Sequence, residues 1–373
     1  MHIVVVGAGI VGLSIAVGLA EAGAGVVVVD GGPPGARLTR TTFAWLNAGF
    51  LPVDRTYWGL RSGSLDAWHE ASAGHPWFHA GGSLHLATAG GTEPDDRSAA
   101  WRAELRGWGE PIVALDAAAV HALEPALAGV TAVGGVAARL FRRDAWVETD
   151  GAIGHLVDRL LAAAGPGALR TGTPVARLEP GSGMPGVRLT SGETLHGDHV
   201  VVAAASDTPV LTGGGLVPVL APDARGVPGL LVLTAPVAIT VGRIVRRDDL
   251  VLRPAPGGRL LLQAGALDND LRLDEPAATT DDRVRTLLAR AAATLSRVDA
   301  PVAEQVTVAA RALPPDGRPI VGWLDGARRT YVAVTHSGIT LAPAIARIVI
   351  EDVLHGRRAT DLDAYRPRAA PRA

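Results

Sequence analysis

The chain of 373 residues contains neither cysteine nor lysine. Without cysteine there can be no disulfide, no thiolate nucleophile and no thiolate-bound metal. Without lysine, a Schiff-base mechanism and a Walker-type phosphate loop are both excluded. All 35 basic residues are therefore arginine. Charged residues are scarce at 19%, the net charge is −2, and no basic stripe stands out, so nucleic acid is not an expected partner. The histidines outside the C-terminal motif discussed below have no acid-supported spacing for a metal ion, and no metal site is expected.

Hydrophobic residues make up 48% of the chain, enough for large cores, and the length predicts two domains at roughly 150 residues each. Ile3 to Ala22 is almost wholly apolar and superficially resembles a leader or membrane anchor. It has no basic segment before it and is broken by glycines, so a strand, a turn and a helix account for it better. No other stretch is long and apolar enough to span a membrane. These features predict a cytoplasmic protein with no membrane span.

His2 to Val6 is a β-branched run of the kind found in buried parallel strands. Gly7-Ala-Gly9-Ile10-Val11-Gly12 follows, then a helical pattern that stops at Gly23. A second strand, Gly25 to Val29, leads to Asp30 and Gly31. Each part suits a bound dinucleotide. Gly7 permits the tight turn, Gly9 lets backbone approach a pyrophosphate, and Gly12 lets helix and strand pack closely. The helix N-terminus offers N–H groups and positive dipole to the phosphates. Asp30 is placed to accept hydrogen bonds from ribose hydroxyls. The motif alone does not choose between FAD and NAD.

Further along, a Thr- and Arg-rich loop leads into Thr41-Thr42-Phe-Ala-Trp-Leu-Asn47-Ala-Gly49. A helix is predicted over Gly151 to Ala164. Strands are predicted at Ser83 to Ala87, Val175 to Leu178, Gly186 to Leu189, Glu193 to Leu195 and Val200 to Ala204. A second sheet is predicted from Leu230 to Thr234, Ala238 to Val241, Leu250 to Leu252 and Leu260 to Gln263. It is interrupted by a helix over about Thr280 to Leu295. The chain closes with a strand at Thr330 to Val334, a helix at Leu341 to Leu354, and a Pro- and Arg-rich tail expected to be disordered. Trp68, Trp77, Trp101 and Trp108 are expected to pack in a core rather than wall a pocket.

This order of motifs resembles the family of D-amino acid oxidase, glycine oxidase and sarcosine oxidase. The likeness rests on the opening fingerprint and on four further segments. Thr41 to Gly49 resembles the segment of D-amino acid dehydrogenases that runs beneath the flavin. His199 to Leu211 resembles the strand and turn beside the cofactor. Arg311-Ala-Leu-Pro-Pro-Asp-Gly-Arg-Pro-Ile-Val-Gly322 and His336-Ser-Gly-Ile-Thr-Leu-Ala-Pro343 resemble the family's two C-terminal motifs. The resemblance implies an α/β fold (α+β overall): a Rossmann-type FAD-binding domain interleaved with a mixed-sheet substrate domain. The FAD part would take 1–56, 145–212 and 305–373, and the substrate part 57–144 and 213–304. It implies FAD held non-covalently by Gly7, Gly9, Ile10, Val11, Gly12, Asp30, Gly31, Thr41, Thr42, Asn47, Val175, Ala204, Gly338, Ile339, Thr340 and Leu341. Ala205 and Thr335 stand where the family often has glycine, and the arginine that glycine oxidase carries after the equivalent of His336 is missing.

The resemblance also assigns chemistry. Arg311 would clamp a substrate carboxylate in bidentate fashion and fix the α C–H over the flavin. Arg253 is a backup and is expected to be structural. His336 would face the flavin, and without lysine any cation there is His336 or an arginine. A helix entered through Ser337 to Thr340, with Pro343 in its first turn, would aim its positive end at the flavin N1–C2=O edge. The expected reaction is oxidation of the C–N bond of a small amine or amino acid, with O2 or another electron acceptor. The alternatives are a dehydrogenase that reduces a quinone or carrier, a flavin monooxygenase, and a non-catalytic dinucleotide-binding protein.

Overall fold

A computed structural model describes residues 1–49, 53–87, 99–127, 135, 137–179, 183–213, 227–275, 277–296, 300–358 and 360–367. In chain order it begins β1 (His2–Val6), α1 (Ile10–Glu21), β2 (Gly25–Val29), β3 (Trp45–Leu46), α2 (Arg55–Ser72), β4 (Phe78–His79) and β5 (Ser83–Leu86). Then come α3 (Ala99–Gly107), β6 (Ile112–Leu115), α4 (Ala117–Leu123), β7 (Ala138–Phe141), β8 (Ala145–Val147), α5 (Thr149–Ala164) and β9 (Leu169–Arg170). Next are β10 (Val175–Glu179), β11 (Gly186–Leu189), β12 (Thr194–His196), β13 (His199–Val202), α6 (Thr208–Thr212) and β14 (Val227–Thr234). The rest is β15 (Ile244–Arg247), β16 (Leu250–Ala255), β17 (Arg259–Ala264), α7 (Asp282–Thr294), β18 (Ala303–Arg311), β19 (Ile320–Trp323), β20 (Thr330–Val334) and α8 (Gly338–Val353).

Two large sheets organise these elements. One is six-stranded, in the order β19-β20-β13-β1-β2-β9. Its pairings are parallel except β19 with β20. Its valines face both ways, as a sheet covered on both sides requires. Ile3, Val5, Val26 and Val28 pack under α1, α5 and α8, while Val4, Val6, Val200 and Val202 pack against Val187 and Leu189 of the β10–β12 sheet. The other is eight-stranded and mixed, in the order β18-β14-β17-β16-β15-β5-β7-β6. One face buries Leu230, Val232, Leu252 and Leu262 against Val284 and Leu287 of α7. Alternation sends Leu231, Ile244 and Val251 to the opposite face, where they meet Phe43, Trp45 and Trp146. That second face roofs the site.

The structure corrects several expectations. Residues 238–241 form no strand, and the sequence reading missed β6, β7, β15 and β18 of the eight-stranded sheet; in β15 two arginines masked the apolar signal. Helix α8 starts at Gly338, not Leu341, so Pro343 lies inside the helix rather than in its first turn. Residues 303–311, part of which the sequence reading gave to the FAD half, run in the eight-stranded sheet. The tail is ordered over 360–367: Tyr365 is buried and Arg366 forms an ion pair with the buried Asp352. The rest of the tail, 368–373, lies outside the described residues. Trp68 and Trp77 sit in the main core, and Trp101 packs with Leu105 and Phe141.

Candidate active site

Two connected cavities run between the sheets. The outer one, about 750 Å³, is lined by Gly7, Gly9, Asp30, Gly31, Val175 and Ala204 among others. The inner one, about 370 Å³, is lined by Gly9, Ile10, Val11, Thr42, Asn47, Arg311, His336 and Gly338 to Thr340 among others. Gly9, Thr39, Thr41, Ala203, Ala205 and Ala309 line both, so the space is continuous.

The outer cavity is shaped by backbone. Gly7 has φ +109°, and a Cβ there would sit 2.4 Å from Ala203 O. A Cβ on Gly12 would sit 2.0 Å from Gly7 O. Neither position can carry a side chain, so strand, turn and helix close to the distance a pyrophosphate cradle needs. Gly9, at the start of α1, has no side chain to cap the helix and lines the cavity. Thr39, absent from the sequence assignments, accepts the Ile10 N–H at 3.1 Å. The Asp30 carboxylate accepts from Ala8 N at 2.7 Å and Gly32 N at 2.8 Å. These bonds fix it at the cavity wall with lone pairs to spare for a hydroxyl.

The inner cavity is built from side chains and a second helix N-terminus. Helix α8 begins there without a side-chain cap. A Cβ on Gly338 would lie 3.4 Å from Val11 Cγ2, so the opening and closing motifs touch. Arg311, at the end of β18, donates through Nη2 to Asp268 Oδ2 at 2.9 Å and to Pro228 O. Gly229 lies directly beneath it: a Cβ there would meet Arg311 Nε at 2.7 Å. His336 lines the inner cavity and is accessible there. Desolvation deep in the fold, with the Arg311 and Arg61 charges, pushes its pKa down to about 4, so it is neutral at pH 7. Arg253 is buried elsewhere, donating to Phe43 O at 2.7 Å and Glu148 at 2.9 Å, and does not line the cavity. Among the described residues, no group of histidines and acids could hold a metal ion.

A glycine-gated turn and a second uncapped helix facing it across one space fit a long dinucleotide with a ring system at its inner end. The family model for FAD-dependent oxidoreductases of the DAO type matches residues 2–351. The chain belongs to the DAO family. Its cofactor is FAD, and it is an oxidoreductase. Solved structures agree on the fold. Glycine oxidase from Geobacillus kaustophilus is 21% identical with a TM-score of 0.79, covering 98% of this chain and 98% of its own. L-proline dehydrogenase from P. horikoshii is 19% identical with a TM-score of 0.81, covering 98% and 96%. L-amino acid deaminase from Proteus vulgaris, lacking its specific insertion, is 18% identical with a TM-score of 0.77, covering 98% and 92%. A search of curated proteins finds no significant match.

In this DAO-family chain nearly all the residues assigned from sequence line the two cavities. The exceptions are Gly12, which acts by packing, and Leu341, whose side chain is fully buried in the core behind α8. Ala205, in place of the family's frequent glycine, adopts φ +49° at the junction of the cavities. Ala44 adopts φ +58° in the loop below. Left-handed backbone costs a non-glycine residue about 1–2 kcal/mol, so both alanines are held there by their surroundings.

The sequence reading missed a stripe on α2. Arg61, Ser64 and Trp68 recur at helical spacing and face the start of α8. Pro343 has no N–H, which orphans Ile339 O; Trp68 Nε1 donates to that oxygen at 2.9 Å. Ser64 Oγ donates to Thr340 O at 2.7 Å and accepts Ala344 N–H at 3.2 Å, standing in for one rung of the helix ladder. Arg61 donates to Ser337 Oγ at 2.8 Å. Helix α2 therefore splints α8 where Pro343 interrupts its hydrogen-bond ladder, next to the first turn that lines the site.

Proposed function

We propose that the protein oxidises the C–N bond of a small amine or amino acid, with FAD held without a covalent tether. The carrying observation is that Arg311, His336 and the N-terminus of α8 meet in one cavity that continues into the glycine-turn cradle. Bound FAD supplies the two-electron acceptor for a hydride leaving the substrate α-carbon. The substrate also loses one N–H proton and becomes an imine, which water hydrolyses.

Everything else falls to the chain. Nη2 of Arg311 is engaged by Asp268 and Pro228, which orients the guanidinium and leaves Nη1 to meet a substrate carboxylate. Neutral His336 can hydrogen-bond the substrate amine without repelling it. Phe43, Trp45, Leu231 and Val251 supply apolar wall that excludes water. Gly7, Gly9, Ile10, Val11, Asp30, Gly31, Thr41, Thr42, Asn47, Val175, Ala204, Gly338, Ile339 and Thr340 would contact the cofactor, and Gly12 and Leu341 would support them from behind.

Dioxygen as acceptor, with hydrogen peroxide as product, and a cytoplasmic location complete the reading. Among the described residues, no helix is long and apolar enough to cross a membrane. The test is a panel of amino acids and secondary amines added anaerobically to purified protein. Bleaching of the flavin band by a member of the panel is expected, and peroxide on admitting air. Protein that binds no FAD on reconstitution, or FAD that no amine reduces, would overturn the proposal.

A further inference from the structure

We propose that Arg61 is the fixed positive charge beside the flavin ring and the pin that holds the two ring-facing segments together; this rests on the FAD placement argued above. Arg61 is 6% exposed and lines the inner cavity. Its Nε donates to Asn47 O at 3.2 Å and its Nη2 to Asn47 Oδ1 at 2.6 Å. Its Nη1 donates to Ser337 Oγ at 2.8 Å, at the first residue of the α8 approach. One guanidinium thus bridges the loop beneath the ring and the helix pointed at it.

The partners of Arg61 decide its electrostatics. All three acceptors are neutral, so none cancels its charge. Arg311 is instead paired with Asp268 and Arg253 with Glu148. His336 and Asp144 both feel Arg61. Burial and the nearby arginines keep His336 neutral at pH 7. Burial pushes Asp144 up to about 8, so it is mostly protonated at neutral pH and offers little counter-charge. Lysine is absent from the chain. Arg61, bonded to the Ser337 that precedes α8, therefore carries a positive charge that its neutral hydrogen-bond acceptors do not offset. It adds to the helix dipole and favours the electron-rich reduced ring over the oxidised one.

The test is the reduction potential of bound FAD in the holoenzyme, measured against a reference dye in wild type and in Arg61→Met, Arg61→Lys and Ser337→Ala. Arg61→Met should weaken binding of reduced relative to oxidised flavin about tenfold, a drop of about 30 mV in the two-electron potential. Arg61→Lys should keep most of the potential but add a break in its pH dependence where lysine deprotonates, near or below about 10.4. Ser337→Ala, which removes an acceptor but no charge, should move the potential less than Arg61→Met. FAD-loaded Arg61→Met with an unchanged potential would overturn the proposal, as would a Ser337→Ala shift of equal size. If Arg61→Met does not fold, an Arg61→Lys potential without the new break overturns it. Wild type that binds no flavin would instead refute the functional reading above.

Discussion

The two ends of the cavity are made differently. The outer end is mostly backbone: glycines where no Cβ fits, a helix start whose cap residue is glycine, and one carboxylate fixed by two main-chain N–H groups. The inner end is side chains drawn from β14, β17, β18, α2 and α8, far apart in the chain. A backbone site tolerates no bulk but is indifferent to charge. A side-chain site depends on charges and on the elements that aim them.

Substitutions can break that contrast. The largest effect should come from Gly12→Ala, whose Cβ would collide with Gly7 O at 2.0 Å. Loss of bound FAD with a destabilisation above about 3 kcal/mol is expected, read from flavin absorbance and thermal melting. A well-loaded, stable variant would show that the outer end is not backbone-limited. Arg311→Met should do the opposite: normal FAD content, but kcat/KM for a carboxylate-bearing substrate lowered about a hundredfold, in line with about 3 kcal/mol of charged hydrogen bonding. Equal turnover of such a substrate by both proteins would remove Arg311 from the clamp role.

Trp68→Phe keeps an aromatic side chain, though a smaller one, but strips the donor from Ile339 O. It should cost about 1–3 kcal/mol in melting experiments, because a buried carbonyl is left unpaired beside Pro343. The pH dependence sharpens the inner end further. Asp144, bonded to Trp45 Nε1 and Ser83 Oγ, has its pKa raised by burial to about 8 from 3.8. The folded state then holds a proton that the unfolded chain gives up, so stability should fall as pH rises from about 4 to about 8. Asp144→Asn should flatten that slope; an unchanged slope would assign it to other groups. The smallest effect is expected of Ala205→Gly, which relieves the φ +49° conformation and should raise stability in melting experiments by at most about 1 kcal/mol after the entropy cost of glycine.

Legibility followed the same divide. The outer end was readable because Gly7, Gly12 and Asp30 are a local pattern whose spacing is the function. At the inner end, Arg311 and His336 were readable only through resemblance. Gly229 is a local signal for the same end: glycine inside the apolar strand run 227–234 marks a close approach, here of the Arg311 guanidinium. Arg61, Ser64 and Trp68 had helical spacing, but nothing in α2 says that a broken helix lies opposite. Thr39 sat in a loop with no period at all.

By itself the sequence determined the parallel core, the glycine turn, the acid after β2 and the helices α1, α5 and α7, because hydrophobic period and glycine placement act over a few residues. It also determined that any permanent cation in the site must be arginine. Only the tertiary structure decided which arginine, since the worth of a charge depends on what lies beside it. Asp268 compensates Arg311, Glu148 compensates Arg253, and neutral partners leave Arg61 its full charge. Those neighbours lie from 14 to 276 residues away along the chain, and no local pattern encodes their meeting.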